Sequence, residues 1–445
     1  MNGYLQPMAY LVAENESDIQ AAVICCKSLD VHLVARSGGH SYMKYGYGTS
    51  RSLVIDLARL NRITIDRTEM SCYVGPGALQ GHIAYTLWKE GNFMITTGMC
   101  PTVGISGFAL GGGYGYFSRL IGLASDNVQE LQMVDATGQL ITINDSTNED
   151  LFWALRGGGL GGSFGIVTNF KFKMYPEPES TAFGFYEYDI DDFPQFFYAW
   201  QSLITSDLSD NVILIVDVFQ YKILLDINIV NWNAPEAAMA SISDLESLLT
   251  SFSFPAATNT TLKMLSYPEF LLRATQYYSI DPLTHISQLA KLTRHRYAGW
   301  KKVKSFFVEK ILNRSEIAEV NTQLKEYLKT SDLYIEHYGG AINKIRRSAT
   351  AYMHRRRKIL YCLQMYSFNP NGLESIDAIV ALQRFYEMSR RLFNHRESYQ
   401  NYSDEDIPDY LERYYGRKGL RRLIQVKRRV DPENFFRHPQ SIPVY

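Results

Sequence analysis

The sequence has few cysteines, and their arrangement would neither brace a small fold nor hold a metal. Five occur in 445 residues, an odd number, and none shows CxxC spacing. Neither a disulfide framework nor a zinc ribbon is therefore supported. The nine histidines are scattered without an HExxH motif, so we expect no metal site. The cysteines are Cys25, Cys26, Cys72, Cys100 and Cys362.

The sequence also lacks an excess of charge and a long apolar run. Lys and Arg number 45 and Asp and Glu 46, a net charge of −1, so no strong field attracts nucleic acid or an anionic membrane. No stretch approaches the ~18 consecutive apolar residues of a bilayer span, and the first residues lack the layout of a signal peptide. We expect a globular monomer whose partner is a small molecule, with neither nucleic acid nor membrane as a partner.

Glycine is scarce in the middle of the chain and dense before it. Of the 31 glycines, 19 lie between positions 75 and 165, whereas positions 176 to 338 hold two. In the first region short β-rich runs such as ITID (63–66) alternate with helical spacing (78–91), which indicates an α+β domain. Beyond it, alternating strands precede amphipathic helices, and we expect residues 283–330 to be rich in helix.

These patterns divide the chain into three segments. Residues 1–178 form the first domain, and residues 179–398 form a second domain in which an antiparallel sheet is backed by helices. The alternation of residues 356–368 suits one wall of that sheet. Residues 399–445 are predicted to return to the first domain.

Three glycine-rich stretches carry the candidate chemistry. RSGGHS (36–41) follows a strand, where a Gly-Gly turn lets backbone N–H groups converge on a diphosphate. GMCPTVGISGFALGGGYG (98–115) suits close approach of the backbone to a large flat ligand, and DLFWALRGGGLGGSFGIVT (150–168) ends a helix in a further glycine loop. A P-loop is excluded because GK[ST] is absent, and a dinucleotide loop because Tyr116 stands at the last glycine of GxGxxG.

With GLASDNV (122–128) and DPENFFRHPQSIP (431–443), these stretches resemble the motifs of the berberine-bridge-enzyme-like FAD-linked oxidases. That family shares the PCMH-type (vanillyl-alcohol-oxidase) flavin domain, and the resemblance runs nearly end to end. It implies a two-domain α+β PCMH-type fold that carries FAD. It also implies two covalent bonds to the cofactor, from His40 to the 8α-methyl group and from Cys100 to C6.

The resemblance also places further cofactor contacts and the electron acceptor. Val103, three positions after the cysteine, is the smaller family alternative that admits O2 to the flavin, which favours O2 as acceptor and H2O2 as product over a dehydrogenase. The remaining contacts implied are Arg36, Ser37, Gly38, Gly39, Ser41, Gly98, Gly104, Gly107, Gly111, Gly112, Gly113, Gly115, Asp126, Asn127, Gly165, Ile166, Val167, Tyr402 and Asn434.

SYQNYSDED (398–406) resembles the family's Y-x-N-Y-x-D motif, which lines the substrate side of the flavin. Tyr402 is the expected base for the substrate hydroxyl, with Tyr399 as a second candidate, although both could instead be packing aromatics. A tyrosine has a pKa near 10 and serves as base only where positive charge or hydrogen bonding favours the phenolate. Gln364, on the opposite wall, is expected to orient the substrate.

The sequence thus predicts an FAD-linked oxidase acting on the CH–OH group of an alcohol or on a sugar's anomeric hydroxyl. An oxidase of an alkaloid-like metabolite or aromatic alcohol, and a flavin-carrying binding protein, stay open as alternatives. The basic run at residues 355–358 is interpreted as a solvated loop. Family members are usually secreted, whereas this chain shows no signal peptide, so the compartment is left open.

Overall fold

The structure is a computed structural model that describes residues 6–232, 235–276, 283–294, 300–356, 358–369 and 375–445. These residues form an α+β molecule with four sheets. None of the helices within these ranges has the length and apolarity that a membrane crossing requires.

The first part of the chain contains three of the four sheets. Its strands are β1 (Ala9–Val12), β2 (His32–Arg36), β3 (Ser52–Asp56), β4 (Ile63–Asp66), β5 (Ser71–Val74), β6 (Phe93–Met94), β7 (Val128–Val134), β8 (Leu140–Asn144), β9 (Ile166–Lys173) and β10 (Tyr175–Pro176). A parallel sheet has the order β1-β3-β2, an antiparallel sheet has the order β4-β5-β9-β7-β8, and β6 pairs with β10. The helices among them are α1 (Glu16–Ser28), α2 (Gln80–Gly91), α3 (Ile105–Leu110), α4 (Ser118–Ile121) and α5 (Glu149–Leu155).

The second part of the chain is built on one large antiparallel sheet with helices packed around it. Its strands are β11 (Ser180–Asp189), β12 (Val212–Val218), β13 (Lys222–Asn231), β14 (Asn259–Thr260), β15 (Lys263–Leu265), β16 (Trp300–Val308), β17 (Ser331–His337) and β18 (Tyr361–Asn369). They run in the order β14-β11-β13-β12-β17-β18-β16, with β15 beside β11. The helices in the rest of the chain are α6 (Phe193–Ile204), α7 (Pro235–Ser251), α8 (Tyr267–Gln276), α9 (Arg314–Tyr327), α10 (Ala341–Lys344), α11 (Ile376–Phe393) and, after the sheet, α12 (Tyr410–Val430).

The two faces of the large sheet have different neighbours. Leu363 and Met365 of β18 join the core formed with α6, α9 and α11. Because side chains alternate along a strand, Cys362 and Gln364 point to the opposite face, which turns toward the first part of the chain. Strand periodicity therefore decides which side chains can meet a ligand held there.

The C-terminal helix packs on the first part of the chain. Leu423 and Val426 of α12 are buried in the same core as Phe152 and Trp153 of α5. Residues after the large sheet thus contact the glycine-rich half of the molecule.

The prediction of a helix-rich stretch over residues 283–330 is wrong in its central part. Residues Trp300–Val308 form β16, the edge strand of the large sheet, paired with β18. Its sequence, WKKVKSFFV, carries lysines that resemble the polar face of a helix. In the strand, however, Lys302 and Lys304 are buried, and both form ion pairs with Asp406. Pairing with β18, which lies far away in the sequence, therefore favours the strand over the helix that the local pattern predicts. Helix α9 in the same stretch agrees with the prediction.

Candidate active site

Two of the glycine-rich stretches touch through their backbones. A side chain at Gly38 would place its Cβ 2.3 Å from the backbone nitrogen of Gly104, and one at Gly104 would meet the Ser37 hydroxyl at 2.2 Å. Only residues without a side chain allow this approach. The turn that carries His40 is therefore pressed against the loop that carries Cys100.

The imidazole and the thiol meet over one hydroxyl group. Thr102 Oγ1 lies 3.0 Å from Nε2 of His40 and 3.3 Å from Sγ of Cys100. These two contacts bring together side chains from distant parts of the sequence, as the family resemblance implies.

Two buried polar atoms beside this turn lack hydrogen-bond partners among the described residues. Gly39 has φ +75°, and a Cβ there would lie 3.0 Å from Nε of Arg36 and 3.3 Å from the hydroxyl of Tyr47. Within the described ranges, neither of these buried atoms has a hydrogen-bond partner. Buried polar groups are rarely left unpaired, so this corner fits an anionic ligand such as a diphosphate.

The triple-glycine stretch makes room for the chain's own C-terminal motif. A Cβ on Gly111 would fall 1.9 Å from Oδ1 of Asn401, and one on Gly112 would fall 2.6 Å from the ring of Tyr352. The backbone N–H of Gly113 donates to the hydroxyl of Tyr399 at 2.9 Å. These glycines therefore hold the tyrosine motif in place.

The side chains of the GLASDNV loop are engaged by protein groups. The carboxylate of Asp126 accepts hydrogen bonds from the guanidinium of Arg355, one of them 2.9 Å long, and both side chains are buried. The amide of Asn127 donates to the carbonyls of Ile121 and Leu123. These two contacts fix the loop's shape.

The expectation of a solvated basic loop is wrong for Arg355, which is 2% exposed. Its partner Asp126 lies 229 positions earlier, which sequence spacing does not reveal. Arg356 and Lys358 are exposed as expected, and position 357 lies outside the described residues.

The other expected cofactor residues are spread around these stretches. Ser37 donates to the carbonyl of Pro76 at 2.6 Å, and the hydroxyl of Ser41 caps the N–H of Tyr45. Asn434 has φ +52°, and its buried Oδ1 lacks a partner among the described residues. A Cβ at Gly107 would enter open space, and Gly115 abuts the carbonyl of Thr97. Gly98 packs against Phe108, and Gly165 packs against Met133. Ile166 and Val167 are buried in β9. The carbonyl of Val103 accepts a hydrogen bond from the N–H of Gln80.

The substrate-side residues converge next to the His40 turn. The phenol of Tyr402 donates to Oε1 of Glu336 at 2.5 Å, and the amide of Gln364 donates to the hydroxyl of Tyr42 at 3.1 Å. The rings of Tyr42 and Tyr402 meet edge to face at 6.0 Å. Because Tyr42 follows His40 by two positions, this cluster adjoins the expected flavin attachment.

Glu336 affects the pKa of its neighbour Tyr402, and burial shifts its own pKa. Burial raises the pKa of Glu336 to about 8, although the hydrogen bond from Tyr402 opposes that rise. Burial and the negative field of Glu336 raise the pKa of Tyr402 well above its usual value. The charge beside the Tyr402 hydroxyl is therefore negative, which disfavours a phenolate, and the carboxyl group of Glu336 accepts the hydrogen bond of that hydroxyl.

Sequence reasoning missed Glu336. The one available indication was a carboxylate within the strand SDLYIEH, two positions after Tyr334 and on the same face of β17.

The second candidate base, Tyr399, is 2% exposed, and its hydroxyl also accepts a hydrogen bond from Nδ2 of Asn401 at 2.9 Å. Its ring lies 4.8 Å from that of Tyr402.

The fold and site define an FAD-binding oxidoreductase. Residues 7–144 match the family described as "FAD binding domain", and residues 398–443 match "Berberine and berberine like". The chain is 33% identical over 475 residues to berberine bridge enzyme-like 1 of Arabidopsis thaliana, covering 98% of this chain and 84% of that protein. The protein therefore belongs to the berberine bridge enzyme-like family.

Solved structures show the same architecture. Wild-type Physcomitrella patens BBE-like 1 is 30% identical, with a TM-score of 0.86 over 98% of this chain and 91% of that one. A xylooligosaccharide oxidase from Myceliophthora thermophila, in complex with xylobiose, is 27% identical, with a TM-score of 0.87 over 99% of this chain and 92% of that one. The two-domain PCMH-type FAD-binding fold expected from the sequence is confirmed.

Proposed function

We propose that this protein oxidises the hydroxyl-bearing carbon of an alcohol or the anomeric centre of a sugar, with O2 as final acceptor and H2O2 as product. FAD, when bound, accepts the hydride. Residues 1–178 and 399–445 hold the cofactor, and residues 179–398 supply the substrate wall. His40 and Cys100 each form one covalent bond to FAD, and the monomer is the active unit.

The observation that carries this proposal is the hydrogen bond from Tyr402 to Glu336 beside the His40 turn. Hydride removal from an alcohol requires that the hydroxyl proton also leave, to a group within hydrogen-bond reach. Tyr402 takes that proton as it passes its own to the carboxylate of Glu336. Ionised Glu336, rather than a free phenolate, thus supplies the basicity.

The neighbouring polar groups orient the substrate. Gln364 and Tyr42 form a hydrogen-bonded pair, and Gln364 lies on β18, the strand paired with the strand of Glu336. An amide and a phenol offer donors and acceptors to hydroxyl groups without carrying charge. This lining suits a neutral polyol, and the xylobiose bound by the xylooligosaccharide oxidase is a substrate of that kind.

Release of H2O2 from a panel of substrates tests the proposal. We expect turnover of xylobiose or another short oligosaccharide, or of a primary alcohol, with one H2O2 formed for each hydroxyl oxidised. If purified protein binds FAD but none of these compounds bleaches the bound flavin under anaerobic conditions, the proposed function is contradicted. Turnover confined to alkaloid-type amines would favour the alternative chemistry.

A further inference from the structure

A single hydroxyl group joins the two side chains that the proposed function attaches to FAD. Thr102 Oγ1 is within hydrogen-bond distance of His40 Nε2, at 3.0 Å, and of Cys100 Sγ, at 3.3 Å. A threonine hydroxyl has one proton and two lone pairs, so it can accept from a thiol and donate to an imidazole at once. The three groups therefore form a continuous hydrogen-bonded chain.

We propose that Thr102 is a positioning residue for covalent flavin attachment, and this inference rests on the double attachment proposed above. Its hydroxyl holds Nε2 of His40 toward the Cys100 loop and conducts the thiol proton of Cys100 to that nitrogen.

Each attachment is a two-electron oxidation with O2 as the oxidant. At Cys100 an S–H bond and the C6–H bond break and an S–C6 bond forms. O2 takes up the two electrons and two protons as H2O2, and the thiol proton reaches it by way of Thr102 and Nε2 of His40, which ends the step with its original protonation. At His40 an N–H bond and one C–H bond of the 8α-methyl group break, an N–C bond forms, and a second O2 is reduced in the same way. The nucleophile at sulfur is the thiolate, so the Cys100 bond requires a route by which the thiol proton leaves.

The backbone, rather than the side chain, fixes the position of Thr102. A Cβ at Gly38 would lie 3.2 Å from the Thr102 carbonyl, and the N–H of Val103 donates to the carbonyl of Cys100 at 3.2 Å. A change confined to the Thr102 side chain should therefore leave both loops in place. Valine has nearly the same shape as threonine but no hydroxyl, which makes Thr102→Val the direct test.

Peptide mapping by mass spectrometry distinguishes the two attachments without an activity assay. Wild type, Thr102→Val and Thr102→Ser are produced with ample riboflavin and digested. In wild type we expect one flavin to cross-link the peptides that contain His40 and Cys100. In Thr102→Val we expect at least a tenfold smaller cross-linked fraction, with flavin on the His40 peptide alone, and in Thr102→Ser we expect recovery of the cross-link.

A matched control separates loss of the hydroxyl from general destabilisation. The buried hydroxyl of Thr181 in β11 has no hydrogen-bond partner among the described residues. Thr181→Val therefore makes the same change on a strand of the large sheet, outside the two loops, and its cross-linked fraction should equal that of wild type. Should Thr102→Val keep its colour and its full cross-linked fraction, the role of Thr102 is overturned while the double attachment stands. Wild type without any cross-linked peptide overturns the double attachment and this inference together.

Discussion

The phenol of Tyr402 donates a 2.5 Å hydrogen bond to the carboxyl oxygen of Glu336, across 66 positions of sequence. One partner comes from the C-terminal motif and the other from β17, an interior strand of the large sheet. The acid–base pair therefore exists only when the C-terminal segment is docked against the second part of the chain.

Replacing Glu336 by glutamine should remove the proton acceptor while keeping the hydrogen bond to Tyr402. General-base catalysis typically contributes about 10²–10⁴-fold, so we expect a loss of that order in the rate of flavin reduction. Stopped-flow measurement of flavin bleaching under anaerobic conditions provides the value. Gln364→Asn is the control, and it should weaken substrate binding more than it slows reduction.

The pH profile should follow the same carboxyl group. Because burial raises the pKa of Glu336 to about 8, the group is mostly protonated at neutral pH, and the reduction rate should rise as pH rises through about 8. The pKa of Glu336 is higher in the folded protein than in the unfolded chain, so the folded state binds this proton more tightly. The free energy of unfolding therefore falls as pH rises toward about 8, and Glu336 destabilises the fold at alkaline pH. Glu336→Gln should flatten the rate profile and raise the melting temperature at pH 9. A variant that keeps the wild-type profile would refute the assignment.

Tyr402→Phe should retain covalently attached FAD and lose most of its reduction rate. The substitution keeps the ring that packs against Tyr42 and Tyr399 but removes the hydroxyl that bonds to Glu336. Retained yellow colour after acid precipitation shows that the site is assembled. Full activity in this variant would eliminate Tyr402 as the group that takes the substrate proton.

Removal of the attachment residues should have graded effects. Cys100→Ala should keep FAD bonded through His40 with slower turnover, because one bond still holds the ring. The double variant with His40→Ala should release FAD on acid precipitation. Visible spectra of the precipitate and the mass of the intact protein decide between these outcomes; flavin retained covalently by the double variant would exclude both residues as the attachment points.

Breaking the buried ion pair should destabilise the GLASDNV loop. Asp126→Ala leaves the guanidinium of Arg355, which is 2% exposed, without its carboxylate. Loss of one partner of a buried pair typically costs about 3–5 kcal/mol, measurable by urea unfolding. Asp126→Ala combined with Arg355→Met should recover part of that loss. If Asp126→Ala unfolds at the wild-type urea concentration, the pair has no structural role.

Local sequence determined the elements that depend on neighbouring residues. The run ITID forms β4 over the predicted residues, and the helical spacing of residues 78–91 produces α2 at Gln80–Gly91. The motifs also predicted where two loops approach closely, because the contact between Gly38 and Gly104 leaves no room for a side chain. What local pattern could not supply was pairing at a distance, so β16 was predicted as part of a helix-rich stretch.

Tertiary structure alone decided the chemistry of the cluster. Whether Tyr402 is a base depends on the charge beside its hydroxyl, and Glu336 is brought there by the large sheet. The same holds for Arg355. Its neighbours in the sequence predict a solvated side chain, but the fold buries it in an ion pair with Asp126. The sequence determined which residue types were available, and burial and long-range contacts determined their protonation and their roles, because desolvation and Coulomb energy depend on distance in space.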